Sequence, residues 1–259
     1  MLQTVQKAAE VLNLFSIERP EWGVSELAKA LAFPKSSASA LVSTMTEQGL
    51  LRRTHTGRYK LGWQLIALSQ ALLSTTDFRI EARPVMEGLI TRFGETVHLA
   101  ALERGQIIYV DKLQGTRAVQ VSVTGVGYRL QAHCSGVGKV ILAHRPWEEV
   151  LHMLSIHGMP AITPHTITDS ERFKQELGQV KAQGYAYDEE EAVEELCCVA
   201  APIRDHTGEV VAALSLSVPT YRFHHFKEQY RLAIMGATRQ ISENLGYFIA
   251  IRSSKKKSC

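Results

Sequence analysis

The chain has 259 residues, enough for one large domain or two of ordinary size. Hydrophobic residues make up 45% and charged residues 21%, as in globular proteins, and no apolar run approaches the roughly 18–20 residues of a membrane helix. The four cysteines are too few and too irregularly spaced for a disulfide framework. The N-terminal stretch is amphipathic and carries Glu10, unlike a secretory signal, so we expect a cytoplasmic protein with no membrane partner.

Charge is distributed unevenly along the chain. Residues 1–75 carry a net charge of +3, residues 76–252 carry −3, and the lysines at 255–257 add +3. A basic first part followed by an acidic body is the distribution expected of a DNA-binding domain joined to a sensing domain.

Residues 1–61 predict a winged helix-turn-helix domain, with the helix-turn-helix itself at about 24–47. Its first helix has Ser25 as the expected N-cap, and Pro34 ends that helix and suits the first turn of the next. The next helix stops at Gly49, because glycine readily adopts the conformation of a helix end. Two short strands joined by a turn then form a basic wing.

Small hydroxyl residues and cations mark the side of this domain that would face DNA. Serines are poor helix formers, but in a helix that fits a DNA groove they donate hydrogen bonds to phosphates. The residues predicted to contact DNA are Lys35, Ser36, Ser37, Ser39, Ser43, Arg52, Arg53, Arg58 and Lys60. Helix-turn-helix packing also occurs in proteins that never touch DNA, and a basic hairpin is often only a solvated surface. The order of the parts favours DNA binding.

Residues 62–76 predict a linker helix with more apolar surface than a lone helix can hide. Such a helix packs on the second domain or on a copy of itself, so we expect a homodimer or a dimer of dimers. Residues 250–259 are polar and cationic and predict a disordered basic tail.

Residues 77–249 predict an α+β domain with a mostly antiparallel sheet, because strands come first and last with helices between and around them. A helix at 80–93, with Pro84 in its first turn, precedes a hairpin of strands at 96–102 and 107–112. Further strands are predicted at 118–123, 130–133, 185–188, 199–203 and 210–218. Further helices are predicted at 135–144, 147–156, 168–184 and 225–245.

The sequence SGVGK at 135–139 is the most conspicuous motif of this second domain. Glycines at a strand-to-helix junction expose backbone N–H groups, and a helix N-terminus attracts anions, so a small carboxylate or phosphate could dock there. The Walker pattern is incomplete, because Val140 stands where Ser or Thr is required, and nucleotide binding is not expected. The structural alternative is a plain helix start.

Two other features point to a polar pocket. Ser215 and Ser217 lie two apart in an apolar strand and project to one face, as a pocket wall would. The acidic run at 188–195 is more typical of a solvated loop, since no nucleophile accompanies its carboxylates.

The histidines and cysteines do not have the spacing of a known zinc motif, so we expect neither a metal nor a cofactor. An alternative function remains open, a small-molecule binding protein or a hydrolase that uses Ser135 and His133 and carries a vestigial DNA-binding head. A purely structural oligomerisation module is disfavoured by the glycine loop and the polar pocket.

The chain resembles the IclR family of bacterial transcriptional regulators over about residues 4–248. The matching segments, in family order, are VSELAKALAFPKSSASALVSTMTEQGLLRR, GRYKLG, GETVHLAALERGQIIYVDKL, HCSGVGKVILA, TITD, GYAYDEEE, CVAAPIRDHTGEVVAALSLSVP and ISENLGY. Each segment alone is a weak signal, but the set in this order is highly specific. The segment SLSVPTYRF is similar to members that sense sugar-acid catabolites.

The resemblance implies a repressor or activator, not an enzyme, that binds a double-stranded DNA operator. Its C-terminal domain would have a GAF-like α/β fold and hold a small carboxylate effector, an organic acid or sugar-acid catabolite. The effector-binding residues that carry over are Val119, Leu130, Ser135, Gly136, Val137, Asp188, Cys198, Ser215 and Ser217. Of these, Ser135, Gly136 and Val137 would offer backbone N–H groups to the carboxylate.

Two residues depart from the family pattern. The family often has arginine where Ala40 stands in the recognition helix, and arginine to guanine is the commonest specific base contact. We therefore expect the domain to hold DNA mainly through phosphates. The family often has glycine where Glu195 stands, near the lip of the expected pocket, which leaves the effector's identity open.

Overall fold

The computed structural model describes residues 2–117 and 125–248. The chain divides into two compact units, Met1–Thr75 and Thr76–Cys259. The strand predicted at 118–123, which contains Val119, and the tail predicted at 250–259 lie outside the described residues. Within the described ranges, no helix is long and apolar enough to cross a membrane.

The first unit is a winged helix-turn-helix. Its helices are α1 (Gln3–Asn13), α2 (Val24–Ala30), α3 (Lys35–Glu47) and α4 (Gln64–Ser74), and its two-stranded sheet is β1 (Leu51–Arg53) and β2 (Tyr59–Leu61). The strands are antiparallel, with Arg52 opposite Lys60. Buried side chains from α1, α2, α3 and the hairpin form one small core, because the apolar positions of each helix fall on one face.

The N-terminus of α2 differs from the prediction. Gly23 is the N-cap, and Ser25 lies inside the first turn. The carboxylate of Glu26 accepts a hydrogen bond from the Gly23 backbone N–H at 3.2 Å. The prediction of Ser25 as N-cap was wrong because Gly23 already has the extended backbone of an N-cap, and Glu26, the third residue of the helix, accepts a hydrogen bond from the Gly23 N–H.

In its described residues, the second unit is a six-stranded sheet with helices on both faces. Its strands are β3 (Thr96–Glu103), β4 (Gln106–Leu113), β5 (Arg129–Leu130), β6 (Ala186–Glu189), β7 (Leu196–Arg204) and β8 (Val210–Pro219). The strand order is β5-β4-β3-β8-β7-β6, and every neighbouring pair is antiparallel. Its helices are α5 (Asp77–Phe93), α6 (Gly136–Leu142), α7 (Trp147–His157), α8 (Ser170–Gln183) and α9 (Thr220–Asn244). The predicted α+β class with an antiparallel sheet is confirmed.

Alternate side chains of the strands enter two separate cores, one on each face of the sheet. On one face, residues such as Leu99, Val199 and Leu216 pack with α5 and α9. On the other face, small residues such as Ala200 and Ala213 pack with α6, α7 and α8. The small side chains let α6 lie close to the sheet, and this face carries the candidate site.

Three local predictions in this unit were wrong. α5 begins at Asp77, so Pro84 lies inside the helix rather than in its first turn. Pro84 is exposed, so water can satisfy the backbone acceptor that its missing N–H leaves free. The strand predicted at 130–133 is only the two-residue β5, followed by a 3₁₀ turn at Ala132–Cys134. α9 begins at Thr220 rather than 225 and is kinked at Phe226.

Gly138 provides a test of the packing around α6. A Cβ atom at this position would lie 2.1 Å from the carbonyl oxygen of Ala132. We expect Gly138→Ala to lower the free energy of unfolding by at least about 2 kcal/mol, measured by urea denaturation. The matched control is Gly178→Ala in α8, where a Cβ meets nothing within 4 Å and alanine should stabilise the helix by up to about 1 kcal/mol. Equal effects of the two substitutions would show that α6 is not closely packed.

Candidate functional site

α3 exposes the side that the sequence predicts to face DNA. Its buried residues are Ala38, Val42 and Met45, which point into the core of the first unit. The exposed residues on the other side include all five predicted contacts, Lys35, Ser36, Ser37, Ser39 and Ser43. Ala40 is exposed as well, so the position lacks a long side chain that could read a base.

The four hairpin cations divide into two pairs with different surroundings. Arg52 and Arg53 are exposed. Arg58 donates a 2.8 Å hydrogen bond to the carboxylate of Glu26, and the Lys60 ammonium lies 2.6 Å from a carboxylate oxygen of Glu21. The hydrogen bond from Arg58, together with those from the Gly23 backbone N–H and from Arg19, lowers the pKa of Glu26 to about 2.

The second pair therefore ties the hairpin to the rest of the first unit. Arg58 also donates to the backbone carbonyl of Glu21 at 3.1 Å. Both cations were predicted as DNA contacts, but their charges are already matched by carboxylates within 4 Å. Arg52 and Arg53 are the hairpin cations best placed to meet phosphates.

A pocket lies between the inner face of the second unit's sheet and the start of α6, and the space between its atoms, including open solvent at its mouth, is about 720 Å³. The structure brings eight of the nine predicted effector residues into its wall, Leu130, Ser135, Gly136, Val137, Asp188, Cys198, Ser215 and Ser217. The ninth, Val119, is outside the described residues. Polar wall residues that the sequence did not reveal are Thr96, His98, Tyr109, Lys112 and Gln114.

Strand register explains how distant residues meet in this wall. One row across the sheet contains Asp188, Cys198, Ser217 and Thr96, each directly opposite the next. The parallel row contains Ala200, Ser215, His98 and Lys112. Residues two apart in a strand share a face, so both rows point into the pocket. In the sequence, the spacing of Thr96 and His98 already indicates two polar side chains on one face of a strand. Only the strand register shows that this face is the one that carries Ser215 and Ser217.

Ser135 is the N-cap of α6. Its Oγ accepts a hydrogen bond from the Gly138 backbone N–H at 3.2 Å and donates to the Gln131 carbonyl at 3.4 Å. The segment is therefore both a capped helix start and part of the pocket wall, which it lines through Gly136. The first N–H groups of a helix have no acceptor within it and are free to bind a polar group.

His133 does not pair with Ser135. Its Nε2 lies 3.1 Å from the carbonyl oxygen of Pro160, while the serine hydroxyl is committed to the helix cap. This arrangement lacks the nucleophile and base of a hydrolase. Within the described ranges, no group of three or more His, Cys, Asp or Glu side chains is placed to hold a metal ion.

Burial determines the charge states in the pocket wall. Burial, with the nearby Glu191 carboxylate as a further cause, raises the pKa of Asp188 to about 7, against the opposing effect of a 2.8 Å hydrogen bond from the Glu191 backbone N–H. Burial lowers the pKa of His98 to about 3, and the Lys112 ammonium contributes. Near neutral pH, His98 is uncharged and Asp188 is divided between its two forms.

The buried Lys139 anchors the loop that borders the pocket. Its ammonium donates to Glu191, to Glu176 at 3.1 Å and to the Tyr187 carbonyl at 3.0 Å. The hydroxyl of Thr166 also donates to the Glu191 carbonyl at 2.7 Å. Glu191 is thereby held at both its side chain and its backbone, next to pocket residues 192 and 193.

Glu195, which departs from the family pattern, lies at the end of this loop. Its φ angle is +61°, in the left-handed region that favours glycine. Its backbone N–H donates to the Glu190 carboxylate at 2.9 Å, and its carbonyl accepts from Thr220 at 3.0 Å. These contacts hold a glutamate in a conformation for which glycine is better suited.

Comparison with known proteins agrees with this geometry. The family model for the IclR helix-turn-helix domain matches residues 4–55, and the model described as bacterial transcriptional regulator IclR C-terminal matches residues 70–243. The chain is 30% identical over 247 residues to the HTH-type transcriptional regulator XynR of Escherichia coli K12, covering 93% of this chain and 98% of that one. It is 34% identical over 246 residues to the HTH-type transcriptional regulator KdgR of Dickeya chrysanthemi, covering 92% and 80%.

A solved structure adds a bound ligand to the comparison. An IclR homolog from Microbacterium hydrocarbonoxydans, complexed with 4-hydroxybenzoate, superposes with a TM-score of 0.81 at 30% identity, covering 93% of this chain and 98% of that one. The present chain belongs to the IclR family. It is a transcriptional regulator with an N-terminal helix-turn-helix DNA-binding domain and a C-terminal effector domain, and it is not an enzyme.

Asp188 makes the free energy of unfolding depend on pH. Its pKa is about 7 in the folded chain against 3.8 for an ordinary aspartate, so the fold disfavours the ionised form. The contribution of Asp188 to stability therefore falls as pH rises from about 4 to about 7 and stays low above that. An asparagine at 188 does not ionise, so Asp188→Asn does not lose stability in this way as pH rises. The difference between the unfolding free energies, variant minus wild type, should therefore increase by up to about 4 kcal/mol between about pH 4 and pH 8.

Urea denaturation of both proteins at several pH values measures this difference. Subtracting the wild type removes the contribution of His98, whose lowered pKa acts in the opposite direction over part of the same range. A difference that does not vary with pH would contradict the buried, proton-binding Asp188.

Proposed function

We propose that the first unit binds a double-stranded DNA operator through α3 and the hairpin, and that the second unit binds a small carboxylic acid that changes operator affinity. The observation that carries the proposal is the pocket, which gathers hydroxyl, imidazole and ammonium groups on one wall of a regulator's effector domain. A runner-up function as a hydrolase has no support from the Ser135 and His133 geometry.

Phosphate contacts dominate the proposed DNA interface. The exposed side of α3 offers one ammonium and several hydroxyls, and the hairpin adds Arg52 and Arg53. These groups bind the phosphates of the DNA backbone, whereas Ala40 cannot form the bidentate contact with guanine that an arginine would form. Affinity should therefore depend steeply on salt concentration.

The chemistry of the pocket favours an acid that also carries hydroxyl groups. Lys112 supplies the cation, while Thr96, Ser215 and Ser217 supply hydroxyls that can donate or accept hydrogen bonds. The ligand of the Microbacterium homolog, 4-hydroxybenzoate, has both a carboxylate and a hydroxyl. A sugar acid such as gluconate has one carboxylate and several hydroxyls and suits a wall with many hydroxyls.

Self-association through the linker helix is the remaining part of the proposal. Within the part of the chain that the structure describes, no residue of α4 is buried, and Ile66, Leu68 and Leu72 are among its exposed apolar side chains. A second copy of the chain would cover them, giving a homodimer or a dimer of dimers. Effector binding would then shift the population of two arrangements of the DNA-binding units. A regulator that acts on operator DNA works where that DNA is, in the cytoplasm.

Replacing Arg52 and Arg53 together by alanine tests the DNA interface. We expect weaker binding and a smaller dependence of affinity on salt, by about 0.9 in the log–log slope for each lost phosphate contact. Fluorescence anisotropy with the DNA upstream of the regulator's own gene, at several salt concentrations, measures both quantities. Arg58→Ala is the control, because the charge of Arg58 is already paired with Glu26, so its loss should alter the position of the hairpin but not lower the salt slope as the double variant does. An unchanged slope in the double variant would argue against the proposed interface.

Filling the pocket tests the effector site. A thermal-shift screen of gluconate, galacturonate and 4-hydroxybenzoate should find an acid that raises the Tm, by an amount corresponding to about 2.7 kcal/mol at a hundred times its Kd. Cys198→Trp should abolish that shift and the response of DNA binding to the acid, while DNA binding itself survives. Cys198→Ser, which leaves the space open and keeps a hydrogen-bond donor and acceptor at this position, should retain both. Calorimetry that finds the same affinity in Cys198→Trp and wild type would place the effector elsewhere.

A further inference from the structure

Four polar side chains form a continuous chain of contacts across four strands of the pocket wall. Cys198 lies directly opposite Asp188 in the paired strands β6 and β7, and a hydrogen bond between the two side chains contributes to the raised pKa of the thiol. Its sulfur lies 3.1 Å from the Ser217 hydroxyl, which in turn lies 3.2 Å from Nδ1 of His98. The four residues come from β6, β7, β8 and β3, which are consecutive in the sheet.

The far end of this chain is the imidazole ring of His98, a residue of the pocket wall. His98 is 4% exposed, and in residues 2–117 and 125–248 its Nε2 has no hydrogen-bond partner. The ring stacks on Tyr109 with their centroids 4.4 Å apart, which restricts its orientation. A buried polar atom without a partner costs free energy, so a ligand that reaches Nε2 recovers that cost on binding.

If all three contacts are hydrogen bonds and each thiol and hydroxyl donates within the chain, the hydrogen bonds can run in only two directions. If Asp188 is ionised, it accepts from the Cys198 thiol, the sulfur accepts from Ser217, and the serine oxygen accepts from Nδ1–H of His98. Nε2 then carries a lone pair. If Asp188 is protonated, every bond reverses, Ser217 donates to Nδ1, and the single proton of the neutral ring lies on Nε2.

We propose that Asp188, Cys198 and Ser217 form a relay that sets the tautomer of His98, and that His98 Nε2 is a specificity-determining atom of the effector pocket. With a proton on Asp188, Nε2–H donates to a carboxylate or carbonyl oxygen of the ligand. Without that proton, Nε2 accepts from a ligand hydroxyl, and the charge on Asp188 opposes an anion. Binding of a carboxylate is thereby linked to uptake of one proton by Asp188. This inference rests on the proposed function, because it concerns the same pocket.

Other titratable groups, with shifted pKa values of their own, lie around both ends of the relay. Near Asp188, burial raises the pKa of Cys134 to about 12, and Lys139, although buried, has a raised pKa because Glu191 and Glu176 face it. Near His98, burial raises the pKa of Tyr109, and burial lowers that of the Lys112 ammonium, which lies on the same strand as Tyr109. Burial also keeps His98 itself neutral.

Glu191 is the neighbour that most directly affects Asp188. Its carboxylate raises the pKa of Asp188, and burial raises its own pKa despite the contact with Lys139. Glu191→Gln should therefore move the tautomer change of His98 to lower pH without abolishing it. A change that stays at the same pH in this variant would assign the titration to a group other than Asp188.

Nuclear magnetic resonance of the full-length, ligand-free protein with ¹⁵N-labelled histidine tests the relay. Long-range ¹H–¹⁵N correlations distinguish the two tautomers, and His98→Asn identifies the His98 signals. We expect the ring to stay neutral while its proton moves from Nε2 to Nδ1 as pH rises through about 7. Asp188→Asn and Ser217→Ala should each abolish the change. Ser215→Ala, in the same wall but outside the relay, should leave it intact.

A wild-type His98 tautomer that stays constant while the ¹³C carboxyl signal of Asp188 titrates would overturn the relay. The same holds if Ser215→Ala and Ser217→Ala have equal effects. Because the measurement needs no ligand, it is decided separately from the effector screen. If none of gluconate, galacturonate and 4-hydroxybenzoate binds, the proposed function is contradicted, but the tautomer measurement still shows whether the relay exists.

Calorimetry connects the relay to binding. For an acid that binds the wild type, titrations in two buffers of different ionisation enthalpy should show uptake of close to one proton at about pH 8 and less at about pH 6. Ser217→Ala should lower the affinity for the acid about tenfold, as expected for a lost hydrogen bond to a charged group, and Ser215→Ala should not remove the proton uptake. Binding without proton uptake at either pH would contradict the linkage.

Discussion

The register of β6, β7, β8 and β3 is the constraint on which the effector domain depends. Each strand sends alternate side chains to the core against α5 and α9 and the others toward α6. A slip of one residue would exchange the two sets and place Asp188, Cys198 and Ser217 in an apolar core. The same pairing therefore builds the hydrophobic core and aligns the polar wall. The cost of burying unsatisfied polar groups protects that alignment.

Close approach of α6 completes the pocket that the register begins. Gly138 brings the helix against the Ala132 carbonyl, and Ser135 caps its first turn from within the pocket wall. One turn along, Lys139 binds Glu191 in the bordering loop. A buried ammonium with three acceptors is expensive to disrupt, since removing one partner leaves an uncompensated charge. The helix start, the loop and the proton-binding Asp188 are in this way parts of one polar cluster.

In the DNA-binding unit, charge pairing divides residues that look equivalent in the sequence. Arg52, Arg53, Arg58 and Lys60 stand within nine positions of one another on a hairpin. The antiparallel strands place Arg58 and Lys60 near the carboxylates of Glu21 and Glu26, so those two stabilise the hairpin's attachment. The other two stay on the surface. Exposed pairs of this kind contribute little to overall stability, but they position the wing.

Much of the fold followed from the sequence because its signals are local. Helical spacing, Pro34, the glycine stop and the SGVGK segment determined the winged helix-turn-helix and the start of α6, and the alternation around Ser215 and Ser217 indicated a polar wall. His98 and Lys112 could not be assigned to that wall, because His98 meets Ser215 only through a pairing between strands more than a hundred residues apart. Likewise, the roles of Arg58 and Lys60 depend on carboxylates brought near by folding. The sequence by itself determined most of the elements and their polar faces, although not every helix or strand end. Only the tertiary structure decided which polar faces meet, because strand register and long-range charge pairing are properties of contacts between elements.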